Sequence, residues 1–364
     1  MFNKQVILSN CTLQISADTS LDSIIGYGSR INKKRSFLFV SKVLGKHIPV
    51  SPQKMIGAHK KLANLINGEI NNDNLLVIGL AETATGLGWG VFEQLKAKDK
   101  FFIHTTRVKL DHKQLIQFEE AHSHATEQFL YYPKTNKFNK ESINHIVIID
   151  DEITTGNTIG NLIANIKSQF PKCKCSVLTL LNWKNYKKSF TIYALKEGKF
   201  TSKEHPVKLA PNLLINSTNE TVKEEKKLLN NKLANGFGRV GAFTFPKVKD
   251  SVINQIKSIK NKNILLLGTG EFMHYPLTMS QYFKESNQIK IQSTTRSPVE
   301  IGGVIKSKLS FKDNYYPEVN NYLYNVIDKK HDIVFVCYES KTNKDHLLID
   351  QLKAKFKKVI PIYI

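Results

Sequence analysis

Cysteine is scarce in this chain. Its four residues, Cys11, Cys173, Cys175 and Cys337, give neither a disulfide framework nor a zinc spacing, and Cys173-x-Cys175 alone is a weak signal. No stretch reaches the roughly 18 unbroken apolar residues of a membrane-spanning helix, so no membrane partner is expected. The N-terminal residues lack a basic region followed by an apolar one, which makes a cytoplasmic protein the simple expectation. Acids are outnumbered too: 31 Asp and Glu face 53 Lys and Arg, for a net charge of +22. Such an excess suits nucleic acid or phosphorylated substrates. The lysines are scattered, however, and neither a helix-turn-helix pattern nor an RNA-binding motif accompanies them. Nucleic acid therefore ranks below a phosphorylated small molecule as a partner.

The most informative stretch runs from Ile146 to Thr158. Ile146 to Ile149 is continuously apolar, as a buried parallel strand requires. Asp150, Asp151 and Glu152 follow at its carboxyl end. Thr154, Thr155, Gly156, Asn157 and Thr158 come next, ahead of the helical periodicity of Ile159, Leu162, Ile163 and Ile166. Open α/β sheets place ligands outside the carboxyl ends of their strands. Free amide groups at a helix start, with hydroxyls and a close-approach Gly, make a nest for a phosphate. Two adjacent carboxylates repel a phosphate but accept hydrogen bonds from ribose hydroxyls and suit a hard cation. The pattern asks for a ligand with a 5-phosphate at one end and a diol at the other.

This segment resembles the phosphoribosyl-pyrophosphate (PRPP) motif of type I phosphoribosyltransferases. The resemblance implies that Asp150 and Asp151 hold the ribose hydroxyls and Mg2+, while Thr154, Thr155, Gly156, Asn157 and Thr158 cradle the 5-phosphate. The opening block Gly26 to Pro49, with basic residues around an apolar strand and again in the Gly45-Lys46-His47 turn, sharpens it. On composition alone those basic residues read as a solvated edge. The block is similar to the start of an orotate-phosphoribosyltransferase-like bacterial family found in tellurium-resistance-type gene clusters. Members carry a C-terminal domain named for a Thr-Arg-Ser-Pro (TRSP) tetrapeptide, here Thr295-Arg296-Ser297-Pro298.

The implied fold class is α/β: a type I phosphoribosyltransferase with a doubly wound, mostly parallel sheet, followed by a second α/β domain. The expected boundaries are 1–225 and 236–364, with the Lys/Glu/Asn-rich 216–235 stretch as solvated helix and linker. Residues 52 to 70 read as a helix with Met55, Leu62, Leu65 and Ile66 on one face. The strand Leu75 to Ile78 leads into Ala81, Glu82, Thr83, Ala84, Thr85 and Gly86, a second anion nest, to which the resemblance carries the pyrophosphate role. Glu82 stands where relatives have a basic residue, which favours a magnesium-bridged contact there. The glycines at 86, 88 and 90 are spaced wrongly for a dinucleotide fingerprint. Arg107 and Lys109, beyond the strand Phe101 to Ile103, are candidates for clamping leaving-group oxygens. His122 and His124 fall where such enzymes carry a mobile flap. Trp183 and Tyr186 are candidates for stacking on an acceptor base, with core packing the commoner fate of such aromatics.

The second half repeats the first. Gly79, Glu82, Thr105, Thr106 and Arg107 recur as Gly268, Glu271, Thr294, Thr295 and Arg296, all at one spacing. The C-terminal domain thus reads as a degenerate copy in which Cys337 and Tyr338 replace the ribose acids and Asn343 replaces the phosphate-loop Gly. A ligand nest is expected there from Gly268, Thr269, Gly270, Glu271, Thr295, Arg296 and Ser297. The expected activity is transfer of 5-phosphoribosyl from PRPP to a small-molecule acceptor with release of pyrophosphate, assisted by magnesium, in a homodimer. Asp150, Asp151 and Glu152 are the catalytic candidates. A PRPP-sensing regulator and an enzyme releasing a base from a nucleotide are the alternatives left open.

Overall fold

The computed structural model describes residues 1–30, 35–119, 127–186, 191–205, 237–314, 319–340 and 347–364. The expected flap with His122 and His124, the 216–235 linker and Asn343 lie outside the described residues. Two α/β units follow one another. The first comprises β1 (Phe2–Ile7), β2 (Cys11–Ala17), β3 (Ile25–Ser29), β4 (Phe37–Ser41), α1 (Pro52–Asn64), β5 (Asn74–Gly79), α2 (Ala84–Gln94), β6 (Asp99–His104), β7 (Gln114–Glu119), β8 (Glu127–Tyr131), β9 (His145–Ile153), α3 (Asn157–Gln169), β10 (Lys174–Asn182) and β11 (Thr191–Glu204). Its seven-stranded sheet has the order β1-β2-β11-β10-β9-β5-β6. The five strands from β11 to β6 are parallel, and only the β1–β2 hairpin joins antiparallel. The central strands are apolar because helices cover both faces: Ile146, Val147, Ile148 and Ile149 have no exposed surface. Helix α1 stops short of the expected span, and Leu65, just past its end, is 38% exposed while Leu62 and Ile66 are fully buried.

The second unit comprises α4 (Asp250–Ile256), β12 (Asn263–Gly268), α5 (His274–Ser280), β13 (Gln288–Ser293), β14 (Lys308–Lys312), β15 (Asn320–Tyr324), β16 (Ile333–Tyr338), α6 (Leu347–Lys353) and β17 (Val359–Tyr363). Its sheet, β13-β12-β16-β17, is parallel throughout and repeats the order β6-β5-β9-β10. No helix among the described residues is long and apolar enough to cross a membrane.

The repeat extends to individual hydrogen bonds. The Thr105 amide donates to Gly79 O at 2.9 Å and that of Thr294 to Gly268 O at 3.1 Å. Thr105 Oγ1 accepts from the Ala81 amide at 2.8 Å, and Thr294 Oγ1 from the Gly270 amide at 2.9 Å. The Tyr131 hydroxyl accepts from the Leu110 amide and donates to Val108 O; the Tyr324 hydroxyl does the same between Val299 and Ser297. Strand register corrects one expectation. Gly79 pairs with Ile149, and Gly268 with Cys337. The counterparts of Asp150 and Asp151 are therefore Tyr338 and Glu339, one residue later than sequence spacing alone suggests.

The units also exchange arms. Residues before α1 pair with the second unit: Val50 bridges Ile291, and Gly45 O accepts from the Ser293 amide at 2.7 Å. Residues before α4 pair with the first: Ala242 bridges Phe102, and Gly238 O accepts from the His104 amide at 2.9 Å. Gly45, at φ 69°, lies so near Ile291 that a Cβ would sit 2.8 Å from its carbonyl oxygen, so only glycine serves at this crossing.

Candidate functional site

Strand β9 continues through Ile153, so the three acids belong to its last residues rather than to the loop after it. Side chains alternate along a strand, which sends Asp150 and Glu152 to one face and Asp151 to the other. The Asp151 amide donates to Asp150 Oδ1 at 2.9 Å. Glu152 is engaged internally: Arg35 lies 2.8 Å from Oε1, and the Trp183 indole donates to Oε2 at 3.4 Å. Trp183 is fully buried against Phe39 and Phe200, and so belongs to the core. Burial, and then the charge of Glu152, push the Asp151 carboxyl up to about 7.

Gly156, at φ 67°, forms the entry to α3, where a left-handed backbone suits glycine. The first turn of α3 holds no acid. The Asn157 amide donates to Thr155 Oγ1 at 3.4 Å, and the positive end of the helix dipole favours an anion at this turn. Thr154, Asn157 and Thr158 are half-buried and Thr155 is exposed, so the expected cradle stands at the end of β9 beside the acids.

The loop from Ala81 to Gly86 lies at the neighbouring end of β5. The Leu80 amide donates to Ile149 O at 3.0 Å, tying the loop to β9. Gln128 Nε2 donates to Ala81 O at 3.0 Å, and the Ala81–Glu82 peptide is cis. Glu82 is buried, with Lys46 Nζ at 2.5 Å and Arg107 Nη1 at 3.6 Å. Burial alone would raise the Glu82 carboxyl, but Lys46 and Arg107 hold it down at about 2. Lys46 and His47 are buried as well, so the Gly45-Lys46-His47 turn is not the solvated edge that composition favoured.

Residues 24–203 match a family model described as phosphoribosyl transferase, and residues 236–353 match one described as the TRSP domain C-terminal to it. The chain belongs to this TRSP-bearing phosphoribosyl transferase family. Among solved structures, it is similar to the hypoxanthine-guanine phosphoribosyltransferase of Bacillus anthracis, at 16% identity over 42% of this chain and 82% of that one, with a TM-score of 0.30. The adenine phosphoribosyltransferase of Trypanosoma brucei, solved with AMP, pyrophosphate and ribose-5-phosphate, is 17% identical over 46% and 69% of the two chains, with a TM-score of 0.33. That of Saccharomyces cerevisiae is 13% identical over 48% and 96%, with a TM-score of 0.31. A comparison with curated proteins returned no match.

In the TRSP unit, the expected ligand nest is engaged by protein. Gly270 O accepts from Lys46 Nζ at 2.9 Å, and Glu271 O from Thr85 Oγ1 at 2.8 Å. Thr269 Oγ1 donates to Cys337 O at 3.2 Å, Thr295 Oγ1 accepts from the Ser297 amide at 3.2 Å, and Arg296 pairs with Asp313 at 3.1 Å. Arg239, on the arm before α4, bridges Glu271 at 2.8 Å and Glu339. The place equivalent to the acid pair, held here by Tyr338 and Glu339, is therefore occupied by an arginine. Lys46, Gln128, Arg239 and Glu339 were not among the candidate residues. Only Lys46 carried a signal, as part of a basic cluster.

No group of three or more His, Cys, Asp or Glu able to hold a metal occurs among the described residues. The consecutive carboxylates Asp150 and Asp151 at the end of β9 fit magnesium carried by a phosphorylated substrate, which takes only one or two protein carboxylates.

Proposed function

We propose that the phosphoribosyl transferase unit binds PRPP and transfers its phosphoribosyl group to a small-molecule acceptor, releasing pyrophosphate. The observation that carries this reading is one rim: Asp150 and Asp151 at the end of β9, the acid-free start of α3 beside them, and the 81–86 loop on adjacent β5. In this reading Thr154 to Thr158 hold the 5-phosphate, and Asp150 and Asp151 accept from the ribose diol. Arg107 and Lys109, beyond β6, flank the pyrophosphate. Magnesium, when bound with the substrate, supplies charge to the departing pyrophosphate. Arg107, held beside Glu82, adds fixed positive charge at the same rim. Departure leaves an oxocarbenium-like centre open to the acceptor. Glu152 is paired with Arg35 and supports the rim through that pair rather than handling a proton.

Titration calorimetry with magnesium-PRPP tests the reading. Wild type takes up the ligand, and the Asp150→Asn/Asp151→Asn double variant binds at least about tenfold more weakly, since hydrogen bonds to charged groups contribute about 1.5–3 kcal/mol. Equal affinity in the double variant would contradict it.

A further inference from the structure

We infer that Glu271 of the TRSP unit is a positioning residue for the pyrophosphate rim of the transferase unit; this rests on the function proposed above. One residue grips both walls of that rim. Its Oε1 accepts from the Arg107 amide at 2.8 Å and its Oε2 from Thr106 Oγ1 at 2.6 Å. Its main-chain carbonyl accepts from Thr85 Oγ1 at 2.8 Å. The first two bonds fix the segment beyond β6; the third fixes the first turn of α2, at the end of the 81–86 loop.

The contact is built for an ionised acceptor. Burial works against the charge of Glu271, but Arg239 at 2.8 Å and the bonds from Thr106 and Arg107 outweigh it, keeping the carboxyl below its usual range. Arg239 Nε also donates to Thr106 Oγ1 at 3.2 Å, closing the ring of contacts. The Arg239–Glu271 pair repeats the Lys46–Glu82 pair across the two units, with each cation carried on an exchanged arm. The guanidinium of Arg107 is thus located twice, through its side chain by Glu82 and through its backbone by Glu271. Fixed charge aimed at a leaving group acts only if it is held in place beforehand.

Calorimetry on the full chain with two separate probes tests this. Ribose 5-phosphate reports on the cradle and the acids; magnesium pyrophosphate reports on the pyrophosphate rim and on the acids that take its metal, but not on the cradle. Glu271→Gln is expected to weaken magnesium pyrophosphate by about tenfold and leave ribose 5-phosphate unchanged. Thr106→Val removes the hydroxyl's bond to Glu271 and those it accepts from Arg239 and Val108, but keeps the Arg239–Glu271 ion pair, and is expected to act in the same direction by a few-fold. Parallel weakening of both probes, or of neither, overturns the positioning role. Wild type that binds ribose 5-phosphate but not magnesium pyrophosphate overturns the rim assignment and this inference with it. Wild type that binds neither overturns the transferase reading itself.

Discussion

Asp151 shows how a single residue can report on the site. Its folded-state carboxyl is raised to about 7 by burial and by Glu152, so it is largely protonated below neutrality. A protonated carboxyl is a poorer partner for the ribose diol or a cation than the carboxylate. Affinity for magnesium-PRPP is therefore expected to rise from about pH 6 to about pH 8, with uptake of the ligand releasing about half a proton at pH 7 and more at pH 6. Calorimetry in buffers of differing ionisation enthalpy counts that proton; a flat profile would sink the expectation. The stability sign is fixed by the same shift. A raised folded value contributes stability that is present below the unfolded value and lost as pH rises through about 7. The placement of the acid pair and its hydroxyl neighbours between a strand end and a helix start was legible in the chain, because residue type and order mark that boundary. Lys46, Arg239 and Glu339 were not, because buried ion pairs join residues far apart in sequence, and a lone Lys or Arg in a lysine-rich chain carries no mark of burial.

Helix α2 explains a pattern that sequence spacing only excluded from dinucleotide binding. A Cβ at Gly86 would stand 2.9 Å from Met273 Cβ of the TRSP unit, at Gly88 3.0 Å from Gly79 Cα, and at Gly90 2.0 Å from His59 Nδ1 in α1. Each glycine lets a different neighbour approach the helix. Alanine is favoured over glycine by about 1 kcal/mol in a helix interior, but overlap with a fully packed His59 opposes that gain. Overpacking typically costs about 1–3 kcal/mol, so Gly90→Ala is expected to be net destabilising, read as a lower denaturant midpoint with an unchanged slope. A raised midpoint would show that His59 swings away freely. The strands β5, β6 and β9 were readable from their apolar runs. The end of α1 and the reach of β9 past its acids were not, since hydrogen bonding to neighbours decides where an element stops.

At the scale of the whole molecule, two units of one plan face each other through exchanged arms and a shared buried charge network. The repeat was visible as five recurring residues, but the exchange of arms was not, because it depends on which edge strand each arm reaches. In the first unit Asp150 and Asp151 end β9; in the second, Arg239 fills the equivalent place between Glu271 and Glu339. Crystals of the full chain soaked with magnesium and a non-reactive PRPP analogue test this account most directly. The analogue is expected on the first unit alone, with its 5-phosphate at Thr154 to Thr158 and its diol at Asp150 and Asp151. An analogue seated in the second unit, or lying away from the end of β9, would contradict the account.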